Sequence, residues 1–176
     1  MTKTKWSIDN MHSEAQFKVK HLVISTVTGQ FNDFEGSLVS ENDNFHDAKA
    51  KFKIDVNSID TNVSDRDQHL RSPDFFDAEK YPNILFDGTL HHKDGENYVL
   101  KGDLTIKNTT KTVELKVHYG GSMVDGYGQK KAGFEIEGKI NRKEFGLTWN
   151  QVTEAGGVVV GDEVRLMLNM QVTEQE

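Results

Sequence analysis

The chain has 176 residues, which suits a single domain spanning 1–176 and able to bury its own core. Its formal net charge of −7, with no long run of Lys or Arg, argues against nucleic acid and against an anionic membrane surface as partners. There is no cysteine, so disulfides and thiolate chemistry are excluded, and no stretch approaches the ~18 apolar residues of a spanning helix.

The dominant pattern has period 2, the signature of strands with one buried and one wet face. Ala15, Phe17 and Val19 alternate with Gln16, Lys18 and Lys20. Val27, Gly29 and Phe31 share a phase, and Phe34, Gly36 and Leu38 take the opposite one. A one-residue β-bulge near Asn32-Asp33 would reconcile the two halves. From Ala48 to Val56 every even position is apolar and every odd one charged. Ile84, Phe86, Gly88 and Leu90 form a weaker case, because Leu85 lies on the other face. Leu100 to Ile106, Val113 to Tyr119, Ala132 to Ile140 and Val164 to Val172 repeat the alternation. About eight such strands close into a barrel or pack as a sandwich.

Asp94-Gly95 suits a tight hairpin, and Gly120-Gly121, Asp125-Gly126 and Gly156-Gly157 mark other reversals. Only Ser64 to Phe76 breaks the β pattern. Ser64 is placed to cap a helix with acids in its first turn, and Ser72-Pro73-Asp74 reads as a second start. One or two short helices near 64–76 are expected across one end.

The inward faces carry Phe17, Phe52, Phe86 and Phe134, but also Ala15, Gly36, Ala48, Ala50, Gly88, Gly102, Ala132 and Gly138. Eight strands enclose just enough room for side chains or for one small ligand. So many small residues either leave an apolar cavity or fit the taper of a packed barrel.

Several spaced motifs resemble the YceI-like family of bacterial lipid-binding proteins, from Trp6 to Val172. They begin with Trp6-x-Ile8-Asp9, His12-Ser13, Phe17-x-Val19-x-His21 and Gly29-x-Phe31-x-x-Phe34-x-Gly36. The most specific piece is Ser58-Ile59-x-Thr61, then Arg66-Asp67-x-His69-Leu70-x-Ser72-x-Asp74-Phe75-Phe76-Asp77 and Tyr81-Pro82. Leu104-Thr105-Ile106 and Arg142-x-x-Phe145-Gly146 complete it. The resemblance implies an all-β fold, an eight-stranded antiparallel lipocalin-like barrel. It implies binding, storage or transport of a long amphiphile such as a polyisoprenoid, isoprenoid quinone or prenyl phosphate, without catalysis. It allows a homodimer. Asn108 departs from the family, where Gly is usual, and a different turn is expected there. The polar start departs from exported relatives. As given, the chain reads as cytoplasmic, and as periplasmic or exported if a leader has been removed.

The tunnel reading assigns tail contacts to Phe17, Val19, Phe34, Leu38, Ala50, Phe52, Ile54, Phe86, Leu104, Phe134 and Ile136. Arg66, His69, Arg71 and Arg142 stand where a head group could be held, since a guanidinium suits a phosphate or quinone oxygen. The plainer reading makes Arg66, Asp67, His69 and Asp77 a local polar network and gives Arg142 a nearby carboxylate. No metal is expected, because adjacent His91 and His92 point to opposite faces and no ligand spacing is present. No cofactor is expected other than an isoprenoid-type lipid. Two other functions compete: an enzyme using the same bore, with His21 as the inward polar candidate, and a dimeric structural module with a filled barrel.

Overall fold

The computed structural model describes residues 3–41, 44–150 and 160–175. The chain runs β1 (Lys3–Ile8), β2 (Glu14–His21), β3 (Ser25–Phe31), β4 (Phe34–Glu41) and β5 (Asn44–Asp55). The two-residue β6 (Ile59–Asp60) and helix α1 (Ser64–Arg71) follow. β7 (Asn83–Asp94), β8 (Asn97–Ile106), β9 (Thr109–Val124), β10 (Lys130–Asn141) and β11 (Val160–Glu174) complete it. All pairings are antiparallel, and β1 pairs with both β4 and β11, which closes an eight-stranded barrel.

The closure has an unusual start. β1 and β2 both lie along β11, β1 opposite its last residues and β2 opposite its first part, so together they make one stave. A 3-10 turn at Asn10–His12 separates them. Asp9 holds that break: its carboxylate accepts from the Met11 amide (3.0 Å), from His12 Nδ1 (2.9 Å) and from Lys131 Nζ (3.1 Å). β3 and β4 likewise form one stave interrupted at Asn32-Asp33. The break restores the phase, so Phe31 and Phe34 are both buried, as the opposed sequence phases require.

β1 and its Trp6 extend the strand set read from the sequence. Trp6 is fully buried, and its Nε1 donates to Ser40 Oγ at 3.0 Å. Phe45 was hidden by phase: it stands at an odd position in a strand whose even positions face in. Asp47 takes a left-handed φ of 64°, so Phe45 and Ala48 both point inward. Trp6, Phe45, Tyr119 and Phe134 then pack ring on ring, with centroids 5.1–5.4 Å apart, and plug one end of the barrel.

Asp94-Gly95 forms the expected hairpin, with Asp94 opposite Asn97 and Gly95 at φ +50°. Lys107, at φ 57°, and Asn108 make the turn between β8 and β9. Asp125-Gly126 turns the chain into β10. Gly120-Gly121 does not reverse it. The pair lies inside β9, where Gly121 at φ +108° stands by a register shift against β10. Gly156-Gly157 lies outside the described residues.

The second end carries α1, the β2–β3 and β8–β9 turns, and the 3-10 turn Arg142–Phe145. Among the described residues there is one α-helix, and it begins differently from expectation. Val63 is the capping residue, with no side-chain cap, and Ser64 is already helical. The stretch after Ser72 is a run of turns, because Asp77 and Ala78 donate back to Ser72 and Arg71 carbonyls instead of continuing a helix.

Candidate ligand-binding cavity

Alternation puts the charged residues of every stave in water and the apolar ones inside, and the apolar ones do not fill the interior. A cavity of about 170 Å³ remains on the barrel axis. Essentially all of its wall is hydrocarbon: Ala15, Phe17 and Phe31 toward the helix end, Leu38, Leu90, Leu100 and Phe134 toward the aromatic plug, and β9–β11 residues such as Val113, Leu115, Ile136, Ile140 and Leu166 along one side. Ile8, on the unanticipated first strand, lines it too.

The inward glycines do not create this space, contrary to the volume argument from sequence. Each is covered by a neighbouring side chain lying along the wall. A Cβ at Gly29 would fall within 2.8 Å of both Cε atoms of Phe17, its cross-strand partner. One at Gly88 or Gly102 would fall 2.8 Å from Cζ of Phe86 and nearer still to facing backbone, the Lys101 carbonyl at 2.6 Å for Gly88 and the Asp87 carbonyl and Gly88 Cα for Gly102; one at Gly36 would fall 2.5 Å from Ile8 Cδ1 and 3.0 Å from the Phe52 ring. Leu115 covers Gly138 in the same way. The missing methyl groups let aromatic rings lie flat against the sheet, which leaves the axis open.

Of the residues expected to contact a tail, Phe17, Leu38, Ala50, Phe52, Ile54, Phe86, Leu104, Phe134 and Ile136 all line the cavity. Two do not. Val19 lies opposite Val27, nearer the helix end than the cavity extends. Phe34 is buried against Phe52, ring centroids 5.6 Å apart, and does not reach the open volume. His21, in phase with the inward set, sits at the last position of β2 and is not part of the lining.

The structure gathers Arg66, His69, Arg71 and Arg142 at the helix end but turns them onto the protein itself. Arg66 donates to the hydroxyl and carbonyl of Thr61 (2.8 and 2.6 Å), and that hydroxyl donates to the buried Asp67. Arg71 reaches the carbonyls of Asn57 and Ile59, both at 3.1 Å. His69 bonds Asp74 at 2.9 Å and stands edge-on to Trp149. Arg142 is 3% exposed and donates to four carbonyls, of Leu147, Trp149, Val160 and Gly161, at 2.6–3.2 Å. Burial lowers its pKa, and Asp162 at 3.9 Å opposes that shift. An arginine so engaged clamps irregular backbone; a substrate anion would have to displace those carbonyls.

Comparison with known proteins follows the same lines. The YceI-like domain model matches residues 6–172. A UPF0312 protein of Staphylococcus epidermidis is 40% identical over 163 residues, covering 92% of this chain and 93% of the relative. The crystal structure of a Campylobacter jejuni YceI protein superposes with a TM-score of 0.76 at 31% identity, covering 90% of this chain and 91% of that one. A polyisoprenoid binding domain from Saccharophagus degradans superposes with a TM-score of 0.72 at 14% identity, covering 97% and 98%.

Proposed function

We propose, from the premise that this chain belongs to the YceI-like family, that it holds the hydrocarbon tail of a long amphiphile, an isoprenoid, inside the barrel and carries or stores it. The observation that supports this most directly is the apolar cavity on the barrel axis, lined by nine of the residues picked out beforehand from their strand phase. An apolar void of about 150 Å³ admits a benzene-sized ligand. The bore, at about 170 Å³, therefore takes one ring-sized length of tail as it stands. A longer tail requires side chains of the lining to move aside, at a cost its own burial must exceed. The binding name printed for the Saccharophagus domain agrees with this reading.

The test is native mass spectrometry of gently purified protein, followed by titration with a prenyl alcohol. We expect a co-purified lipid or saturable uptake. Ala50 faces the cavity and lies across from Gly88 on β7, so Ala50→Phe puts a ring into the bore. It should cut uptake at least tenfold while the barrel stays folded. Lipid-free protein that takes up no prenyl alcohol would refute the proposal.

A further inference from the structure

The barrel wall has a gap. β9 and β10 are paired only as far as Lys116 opposite Glu137. Beyond that point β10 continues along β11 to Asn141 opposite Glu163, and β9 continues along β8 to Thr109 opposite Ile106. The two strands diverge, leaving residues 109–115 of β9 without a ladder partner on the β10 side. At the top the fork is bridged by Lys107 Nζ, which donates to the Gly146 carbonyl at 3.4 Å.

Outside this fork lies a second hollow of about 490 Å³. Val113 and Ile140 line both it and the axial cavity, so the two spaces meet across these side chains. The outer hollow is polar where the inner one is not. Lys111, Glu114, Lys139, Glu144, Asp162 and Glu163 form its rim. Its rim is acidic rather than basic, with four carboxylates to two lysines, and ion pairs hold several of them. Lys139 pairs with Glu163 at 3.8 Å, Lys143 with Asp162 at 3.4 Å, and Lys101 with Glu114 at 4.0 Å.

We infer that this fork is the lateral portal of the barrel: the tail passes between β9 and β10 past Val113 and Ile140, and the head group stays in the outer hollow. The inference rests on the proposed lipid binding. The opposite end of the cavity is stopped by the Trp6–Phe45–Phe134 plug, and the helix end is bound together by Arg66, Arg71 and Arg142. The head group that fits is an uncharged hydroxyl. It can donate to a carboxylate and accept from Lys111 or Lys139, whereas a diphosphate would meet carboxylates that outnumber the lysines of the rim.

Glu114→Cys and Lys139→Cys place thiols on the two lips, in a chain with no other cysteine. Joined by a short bismaleimide, they should slow both association and dissociation of farnesol at least tenfold, read by stopped-flow tryptophan fluorescence. The doubly modified but unlinked protein, capped with N-ethylmaleimide, lacks the same two rim side chains and is the reference against which the linked protein's rates are read. Wild-type protein should bind farnesol at least tenfold more tightly than farnesyl diphosphate. Unchanged rates in the linked protein, or a preference for the diphosphate, overturn the portal while leaving lipid binding intact. Failure of the wild type to bind either compound overturns the proposed function, and the portal with it.

Discussion

Replacing Gly29 by Ala tests how the bore is kept open. The new Cβ would lie within 2.8 Å of both Cε atoms of Phe17 and closer still to its Cζ. Carbon atoms pack comfortably at ~3.5–4.0 Å, so the ring must retreat by roughly 1 Å or change rotamer, and the only free direction is the cavity. A void of about 150 Å³ accommodates a benzene ring, so a ring turned into the 170 Å³ bore would occupy the place a tail needs. In the ligand-free protein the effects partly cancel. Forcing a well-packed ring costs about 1–3 kcal/mol, and replacing a strand glycine returns about 0.5–1 kcal/mol. Stability in urea should therefore change by no more than about 2 kcal/mol. Prenyl alcohol affinity should fall at least tenfold, about 1.4 kcal/mol or more, by calorimetric or fluorescence titration. Gly133→Ala is the control, because nothing lies within 4 Å of a Cβ there. Wild-type affinity in Gly29→Ala would show that the ring over Gly29 does not keep the site open.

Two further outcomes follow from the ends of the barrel. Hydrogen bonds from His12, Lys131 and the Met11 amide hold the Asp9 carboxyl below its ordinary pKa, against the opposing effect of burial. A depressed folded pKa contributes stability above pH ~4 that is lost as pH falls through the folded value. Asp9→Asn should lower urea stability at pH 7 by about 1–2 kcal/mol and flatten its decline below pH ~4; an unchanged acid limb would exclude this role. Arg142→Ala should cost about 3–5 kcal/mol, since it strips four carbonyls of their donor at once. If it instead left the urea midpoint unchanged and abolished binding of charged-head lipids alone, Arg142 would be a head-group ligand after all.

The bore was legible in the sequence because a barrel interior is written in period 2. Phe52, Ile54, Leu104 and Phe134 could be assigned inward from phase alone, and all four line the cavity. What phase could not carry were the places where it is reset. Phe45 is turned in by one left-handed residue, Asp47, and no aspartate announces such a φ. β1 is hard to read because Lys3–Ile8 is short and four of its six residues are polar, and its place depends on a stave it shares with β2. For Arg66 and Arg142 the sequence suggested carboxylate partners, in a local network and near Phe145-Gly146, and those are not what the guanidiniums chiefly bond. Their acceptors are backbone carbonyls of irregular segments, which leave no mark in residue type.

The glycines carry the more general point about how such a bore persists. Left unfilled, an apolar volume of 170 Å³ would cost about 4 kcal/mol at ~24 cal/mol per Å³, a large fraction of a small domain's stability. Side chains would ordinarily relax into it. Here relaxation is opposed because the rings that could fill the axis already make their contacts on the wall: Phe17 over Gly29, and Phe86 over Gly88 and Gly102. Moving one of these rings inward would exchange a close glycine contact for the same area of cavity wall and leave a new void at the glycine. The hollow is thus maintained by a second set of small residues behind the rings rather than by rigidity of the rings themselves. The first ring-sized length of tail that enters gains contact with the exposed ring faces without disturbing those behind, so its binding recovers part of the cavity cost at little expense in repacking.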